Sequence, residues 1–138
     1  MYLGVPREKI ATRRLVFDKE KVEMIRKLEA SRSEVKDPTR VEAVSALLGR
    51  RLRMLDETID VFNKPGRCVF SSWIRFGLYE ADFGWGKPAR VCTGSPYMNV
   101  VVLMEAPAGD GIEALINVVD DRFFQLLQSN CNKLLGEE

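Results

Sequence analysis

Apolar positions recur every third or fourth residue in the first half of this chain, and every second residue or continuously in much of the second. Ile10 to Phe17, ending in Leu-Val-Phe, predicts a short strand. Asp18 then caps a helix through about Ser31, with Val22, Ile25 and Leu28 as its buried stripe and Lys19, Glu20, Lys27 and Glu29 facing water. The polar stretch Ser31 to Asp37 reads as a linker. Thr39, with Glu42 three residues on, forms a capping box for a second helix whose stripe is Val41, Val44, Leu48 and Leu52. From Gly49 to Val61 the helical pattern runs on without a clear stop, as one long helix or two joined.

Asn63 to Gly66, three turn-forming residues in four, predicts a firm break. Strands are expected at about Arg67 to Phe76, Ala89 to Thr93, Asn99 to Glu105 and Ile112 to Val118. The run Val100 to Met104 is apolar on both faces, as a central strand covered on both sides requires. Ala106 to Gly111, ending Gly-Asp-Gly, suits a hairpin connection. Asp120 caps a last helix with Phe123, Leu126, Leu127 and Leu134 inward. The pattern is α+β, with helices packed on a mostly antiparallel sheet.

Composition changes this picture mainly by subtraction. At 138 residues, 46% hydrophobic and 30% charged, the chain is expected to form one soluble domain. No apolar run approaches the roughly 18 residues of a membrane span, so neither a membrane nor a secretory route is expected, and a cytoplasmic location is the default. Three cysteines, Cys68, Cys92 and Cys131, lack disulfide or zinc spacing and read as reduced thiols. Residues 1 to 55 carry 14 Lys and Arg against 8 Asp and Glu, while the remainder carries 7 against 12. Those charges are interleaved along helices, which favours a solvated face over nucleic-acid binding. The chain contains no histidine. That removes Ser-His-Asp and Cys-His catalysis, histidine-ligated zinc, and the side chain best suited to proton transfer near neutral pH.

The densest aromatic and glycine cluster lies between Val69 and Pro88. Asp82-Phe83-Gly84 matches the magnesium-binding triplet of kinases, but the other kinase motifs are missing. Gly84-Trp85-Gly86 fits a tight turn better than a nucleotide cradle, because no helix signature follows it. Asp110 and Glu113 are expected at a hairpin end rather than as an acid and base pair. Asp56, Glu57 and Asp60 make an acidic helix patch without the loop of a calcium site, and no metal ligands are assigned.

Phe70-Ser71-Ser72-Trp73 followed by Tyr79-Glu80-Ala81-Asp82-Phe83-Gly84-Trp85-Gly86-Lys87-Pro88 resembles the signature of the BAHD family of plant acyl-CoA-dependent acyltransferases. Thr12 to Phe17, Pro38 to Ala46, Asn99 to Met104 and Gly109 to Ala114 agree in order, so the resemblance runs from about Pro6 to Leu127. It implies a partial domain of the chloramphenicol acetyltransferase-like fold, equivalent to part of the family's second domain, with an internal deletion near residues 49 to 55. The implied activity is acyl transfer from acyl-CoA, as co-substrate and not as a permanently bound cofactor, to a hydroxyl or amine of a plant specialised metabolite. The family's general base is the histidine of a His-x-x-x-Asp motif, which this sequence does not contain, so no catalytic residue is assigned and the chain alone is expected to be inactive.

By the same resemblance, Ser71 and Trp73 line the acceptor channel, and the Trp73 indole N–H can serve the oxyanion of the tetrahedral intermediate. Asp82, Phe83, Gly84, Trp85 and Gly86 are structural, with Asp82 accepting backbone N–H groups and an arginine and Trp85 packed on the sheet. Arg13, Lys27, Arg40 and Arg75 are candidates for the phosphates of coenzyme A. The alternative is a non-catalytic remnant that binds coenzyme A weakly or pairs with a full-length relative.

Overall fold

In a computed structural model of the chain, residues 10–59, 69–93, 100–107, 109–118 and 121–136 are described. The element order is β1 (Ala11–Phe17), α1 (Lys19–Arg32), α2 (Arg40–Ile59), β2 (Val69–Ser72), β3 (Val100–Glu105), β4 (Ile112–Val118) and α3 (Asp121–Leu134). The four strands form one sheet in the order β1-β4-β3-β2. β4 is antiparallel to both β1 and β3, whereas β2 runs parallel to β3. This is the expected α+β architecture, with a single parallel pair at one edge.

Local signals set the helix starts. The Asp18 carboxylate accepts from the Lys21 N–H at 2.9 Å, capping α1. The Thr39 hydroxyl accepts from the Glu42 N–H at 3.2 Å, and the Glu42 carboxylate faces the Thr39 N–H at 3.5 Å, so the capping box forms in both directions. No stop interrupts the second helix between Gly49 and Leu55, and α2 is continuous to Ile59. The Asn63 to Gly66 break, the Asp120 cap and the side chains of Asp56, Glu57, Asp60 and Phe123 lie outside the described residues.

The two faces of the sheet are covered differently. One carries Leu15, Phe17, Val101, Leu103, Ile112, Ala114, Ile116 and Val118, packed against Val22 and Ile25 of α1, Val44, Leu47, Leu48 and Leu52 of α2, and Leu127 and Cys131 of α3. These side chains interlock without solvent access, so truncating Leu48 or Leu103 to alanine costs about 2–5 kcal/mol. The opposite face has a smaller core of Val102, Met104 and Leu115, closed by Trp73, Leu78, Tyr79 and Val91 from the segment after β2. Residues 73–92 therefore act as an arm laid over the face that the helices leave open.

Four expectations need correction here. Glu29 was expected to face water, but it is 3% exposed and forms two hydrogen bonds with the Arg50 guanidinium on α2. A buried carboxylate survives because it has that fork-shaped partner. Leu126, expected inward, is 44% exposed, since Leu127 and Cys131 already occupy the buried line of α3. The strand expected over Arg67 to Phe76 ends at Ser72, and Ala89 to Thr93 forms no strand. A turn, described below, breaks the first; the second is fastened by side chains instead of a ladder.

The hairpin from β3 to β4 closes through the Ala106 N–H on the Gly111 carbonyl at 3.0 Å. Gly111 must be small, because a Cβ there would meet the Phe17 carbonyl oxygen at 2.6 Å. The expected Gly-Asp-Gly turn thus also lets β1 end against the hairpin.

Candidate functional site

β2 alternates as a strand should. Phe70 joins the helix-side core opposite Val101, which puts Ser71, opposite Val102, on the face covered by the arm. The Trp73 N–H donates to the Leu103 carbonyl at 2.7 Å, extending the attachment by one residue, and its ring packs over Val102, Met104 and Leu115. Ser71 and Trp73 therefore share one face of an edge strand. Among the described residues, neither the Ser71 hydroxyl nor the Trp73 indole N–H has a hydrogen-bond partner, and neither atom is fully buried. Both are free to serve a ligand.

The chain turns sharply next. The Phe76 N–H donates to the Trp73 carbonyl at 3.2 Å, and Arg75 occupies the third position of this turn at φ 74°, a place that type II turns give to glycine. Trp73 and Phe76 stack with ring centroids 6.4 Å apart and planes 16° from parallel. A cleft of about 40 Å³ lies beside them, walled by Trp73, Leu78, Tyr79, Met104 and Pro107. The carboxylates at its rim are occupied: Glu105 by Arg40 at 3.5 Å and Glu80 by Lys87 at 2.6 Å.

Beneath the arm sits a buried polar node. The Arg14 guanidinium on β1 donates to the Glu113 carboxylate on β4, to the Val91 carbonyl at 2.6 Å and to the Tyr79 hydroxyl at 3.2 Å. Tyr79 in turn donates to Glu113 at 2.9 Å and accepts from the Val91 N–H at 3.4 Å. Burial, and after it the bond to Glu113, raises the Tyr79 hydroxyl above its ordinary pKa of 10.0, so it stays a donor. The node ties Tyr79 and Val91 of the arm to edge strand β1 and its neighbour β4. Sequence reasoning put Glu113 at a hairpin end and overlooked Arg14. The available signal was charge complementarity: Arg14 and Glu113 fall on the same face once β1 and β4 are registered with Val16 opposite Glu113.

Asp82 does what was expected with backbone groups. Its carboxylate accepts from the Gly84 N–H at 2.8 Å and the Gly86 N–H at 3.0 Å, while both glycines take positive φ, 110° and 113°. These two bonds, Gly84 first, hold the Asp82 carboxyl below its ordinary value. Two expectations for this turn are overturned. Among the described residues no arginine reaches Asp82, and Trp85 does not pack on the sheet: it is 84% exposed, beside Phe83 at 79%, with their rings 5.9 Å apart. The turn closes on its own backbone and so projects its two rings outward.

The four candidate cations separate. Arg13 pairs with Asp121 at 2.8 Å, and Arg40 holds the Asp110 carbonyl at 3.1 Å as well as Glu105. Lys27 is exposed on α1, the helix side of the sheet. Arg75 alone of the four stands in the turn that carries Trp73.

This arrangement is an α+β domain of helices packed on a mostly antiparallel sheet, and a solved structure shares it. The crystal structure of vinorine synthase superimposes with a TM-score of 0.70 over 94% of this chain and 49% of that one, at 23% identity. The chain belongs to the Transferase family, which matches residues 49–123, and within it to the BAHD acyltransferases. Similar proteins include stemmadenine O-acetyltransferase of Catharanthus roseus, 46% identical over 70 residues, which are 50% of this chain and 16% of that protein. Vinorine synthase of Rauvolfia serpentina is 45% identical over 41% of this chain and 14% of its own length. Acetyl-CoA-benzylalcohol acetyltransferase of Clarkia breweri is 60% identical over 32% and 10%. By sequence the chain thus aligns with less than a fifth of each of these relatives, and by structure with about half of vinorine synthase. Among the described residues, no helix is long and apolar enough to cross a membrane.

Proposed function

We infer that this chain supplies one wall of an acyl-CoA-dependent acyltransferase site, in which an acyl group passes from a coenzyme A thioester to a hydroxyl or amine of a plant specialised metabolite. The observation that carries this reading is the pair of unpartnered donors, Ser71 Oγ and the Trp73 indole N–H, which share the arm-covered face of the edge strand without being fully buried, in a chain of this family. Trp73 would donate to the oxyanion as the acceptor oxygen or nitrogen attacks the thioester carbonyl, and Ser71 would orient the acceptor. A proton must leave the acceptor in that step. With no histidine in 138 residues, the base in this reading is supplied by a domain that carries one, so the chain is inert alone. Coenzyme A enters and leaves as co-substrate, and the free cysteines Cys92 and Cys131 fit a reducing, cytoplasmic setting.

A second reading is favoured by the same lack of histidine: a non-catalytic remnant that binds coenzyme A weakly or pairs with a full-length relative. The junction near residues 49–55 belongs to this proposal, since the family match begins at residue 49. One experiment separates the two. Free thiol release from acetyl-CoA is followed with a panel of alcohols and amines, using the chain alone and then mixed with a histidine-bearing first domain from a relative. Turnover only in the mixture supports the first reading, and turnover in neither, with co-purification of a relative, supports the second. Turnover by the chain alone would refute both.

A further inference from the structure

We propose that the Trp73–Phe76 turn binds an aromatic ring carrying a negative charge, with Arg75 as the residue that selects for that charge. This deepens the acyltransferase reading by naming a ligand chemistry for the wall that Ser71 and Trp73 form, and it rests on that reading for the choice of ligands.

Three observations carry it. Arg75 is the one non-glycine residue at positive φ among those described, at 74°, and a side chain held there costs stability that glycine would spare. The Arg75 guanidinium is exposed and makes no hydrogen bond or ion pair among the described residues, whereas Arg13, Arg14, Arg40 and Arg50 each hold a carboxylate. Nothing within the described fold therefore accounts for a cation at this position. Next to it, Phe76 stacks on Trp73 and is itself 64% exposed, so its outer face is an open aromatic platform. A planar ring laid on that platform brings its substituents to the tip of the turn. There the guanidinium can hydrogen-bond a carboxylate or phosphate in its own plane.

Two sources share this chemistry: an aromatic acceptor with an acidic group, and the nucleotide end of coenzyme A. The test uses the whole chain carrying Trp85→Phe, which leaves Trp73 as the only tryptophan, so that its fluorescence reports on the turn. Benzoate, benzyl alcohol, inorganic phosphate and an adenosine monophosphate are titrated at low salt. Benzoate or the nucleotide is expected to saturate the signal, with benzyl alcohol and phosphate each about fivefold weaker or more because each supplies half of the recognition. Arg75→Gly suits the observed φ and keeps the turn, so it is expected to lose about fivefold for the charged ring and nothing for benzyl alcohol. Tighter binding of benzoate assigns the site to the acceptor, and tighter binding of the nucleotide assigns it to the donor. Equal affinities for the charged ring in the parent and in Arg75→Gly, or no saturable response to either charged ring, overturn the proposal. No turnover enters the measurement, so its outcome stands apart from the thiol-release assay.

Discussion

Replacing Arg14 with methionine tests whether the arm is held by the buried node or merely rests on the sheet. The Glu113 side chain is 7% exposed and that of Arg14 18%, so their ion pair is largely withdrawn from water. Removing one partner of such a pair typically costs about 3–5 kcal/mol, because the remaining charge is left desolvated. The Tyr79 hydroxyl would still donate to Glu113, which places the expected loss near the low end, at about 3 kcal/mol. For a chain of this size that corresponds to a fall in Tm of roughly 9 °C. Urea unfolding followed by far-ultraviolet circular dichroism measures the loss, and tryptophan fluorescence reports whether residues 73–92 detach first. The double variant Arg14→Met with Glu113→Leu removes both charges and is expected to recover about 2 kcal/mol of that loss. A single variant within about 1 kcal/mol of the parent, or a double variant no more stable than the single, would refute the reasoning.

Other consequences are equally open to measurement. Burial pushes the Cys131 thiol up to about 11 against a smaller opposing pull from Arg51, while Cys92 is exposed. A thiol reagent at about pH 8 should therefore label Cys92 in the folded chain and Cys131 only after denaturation, as read by peptide mass spectrometry. Asp82 has a depressed folded pKa, so its contribution to the turn is complete above its ordinary value of 3.8 and is lost as pH falls through the lower folded value. In a Trp73→Phe variant, Trp85 fluorescence should hold steady above about pH 4 and change below it, and Asp82→Asn should flatten that change; a parent signal already flat to about pH 2 would contradict it. Gly111→Ala forces a Cβ towards the Phe17 carbonyl and should cost about 1–3 kcal/mol in urea unfolding, whereas alanine at Gly49, inside α2 with the nearest atom 3.6 Å away, should stabilise by up to about 1 kcal/mol.

The elements that could be read from sequence are those whose signals are local. Asp18, the Thr39 and Glu42 pair, the apolar run of β3 and the Gly-Asp-Gly hairpin each act within a few residues, and each lies where periodicity placed it. Ser71 and Trp73 fell on one face for the same reason. What escaped depends on partners far along the chain. Glu29 looked solvated because Arg50 lies 21 residues away, and Glu113 looked like a hairpin acid because Arg14 lies 99 residues away. The end of β2 was misplaced because the turn that stops it carries arginine at the position where glycine would have announced it. Trp85 was expected on the sheet as part of a structural motif. Its turn is closed by Asp82 and needs no packing, so nothing draws the ring inward.

The pairing of β1 with β4 sets an order on folding during synthesis. Ala11 lies opposite Val118, and the Thr12 hydroxyl meets Asn117 across 105 residues, so β1 waits for a partner made about a hundred residues later. At ordinary rates of translation that interval is roughly 5–20 s, far longer than a helix or hairpin needs to form. Through it, β1 leaves the ribosome with both backbone edges unpaired and with only α1 and α2 available to shelter Leu15 and Phe17. The β3–β4 hairpin, once made, completes the sheet by sliding between two strands that already exist. A nascent chain stalled before residue 112 would therefore hold α1, α2 and β3 but not β4, and its open strand edges would be the first surfaces a chaperone or a neighbouring nascent chain meets.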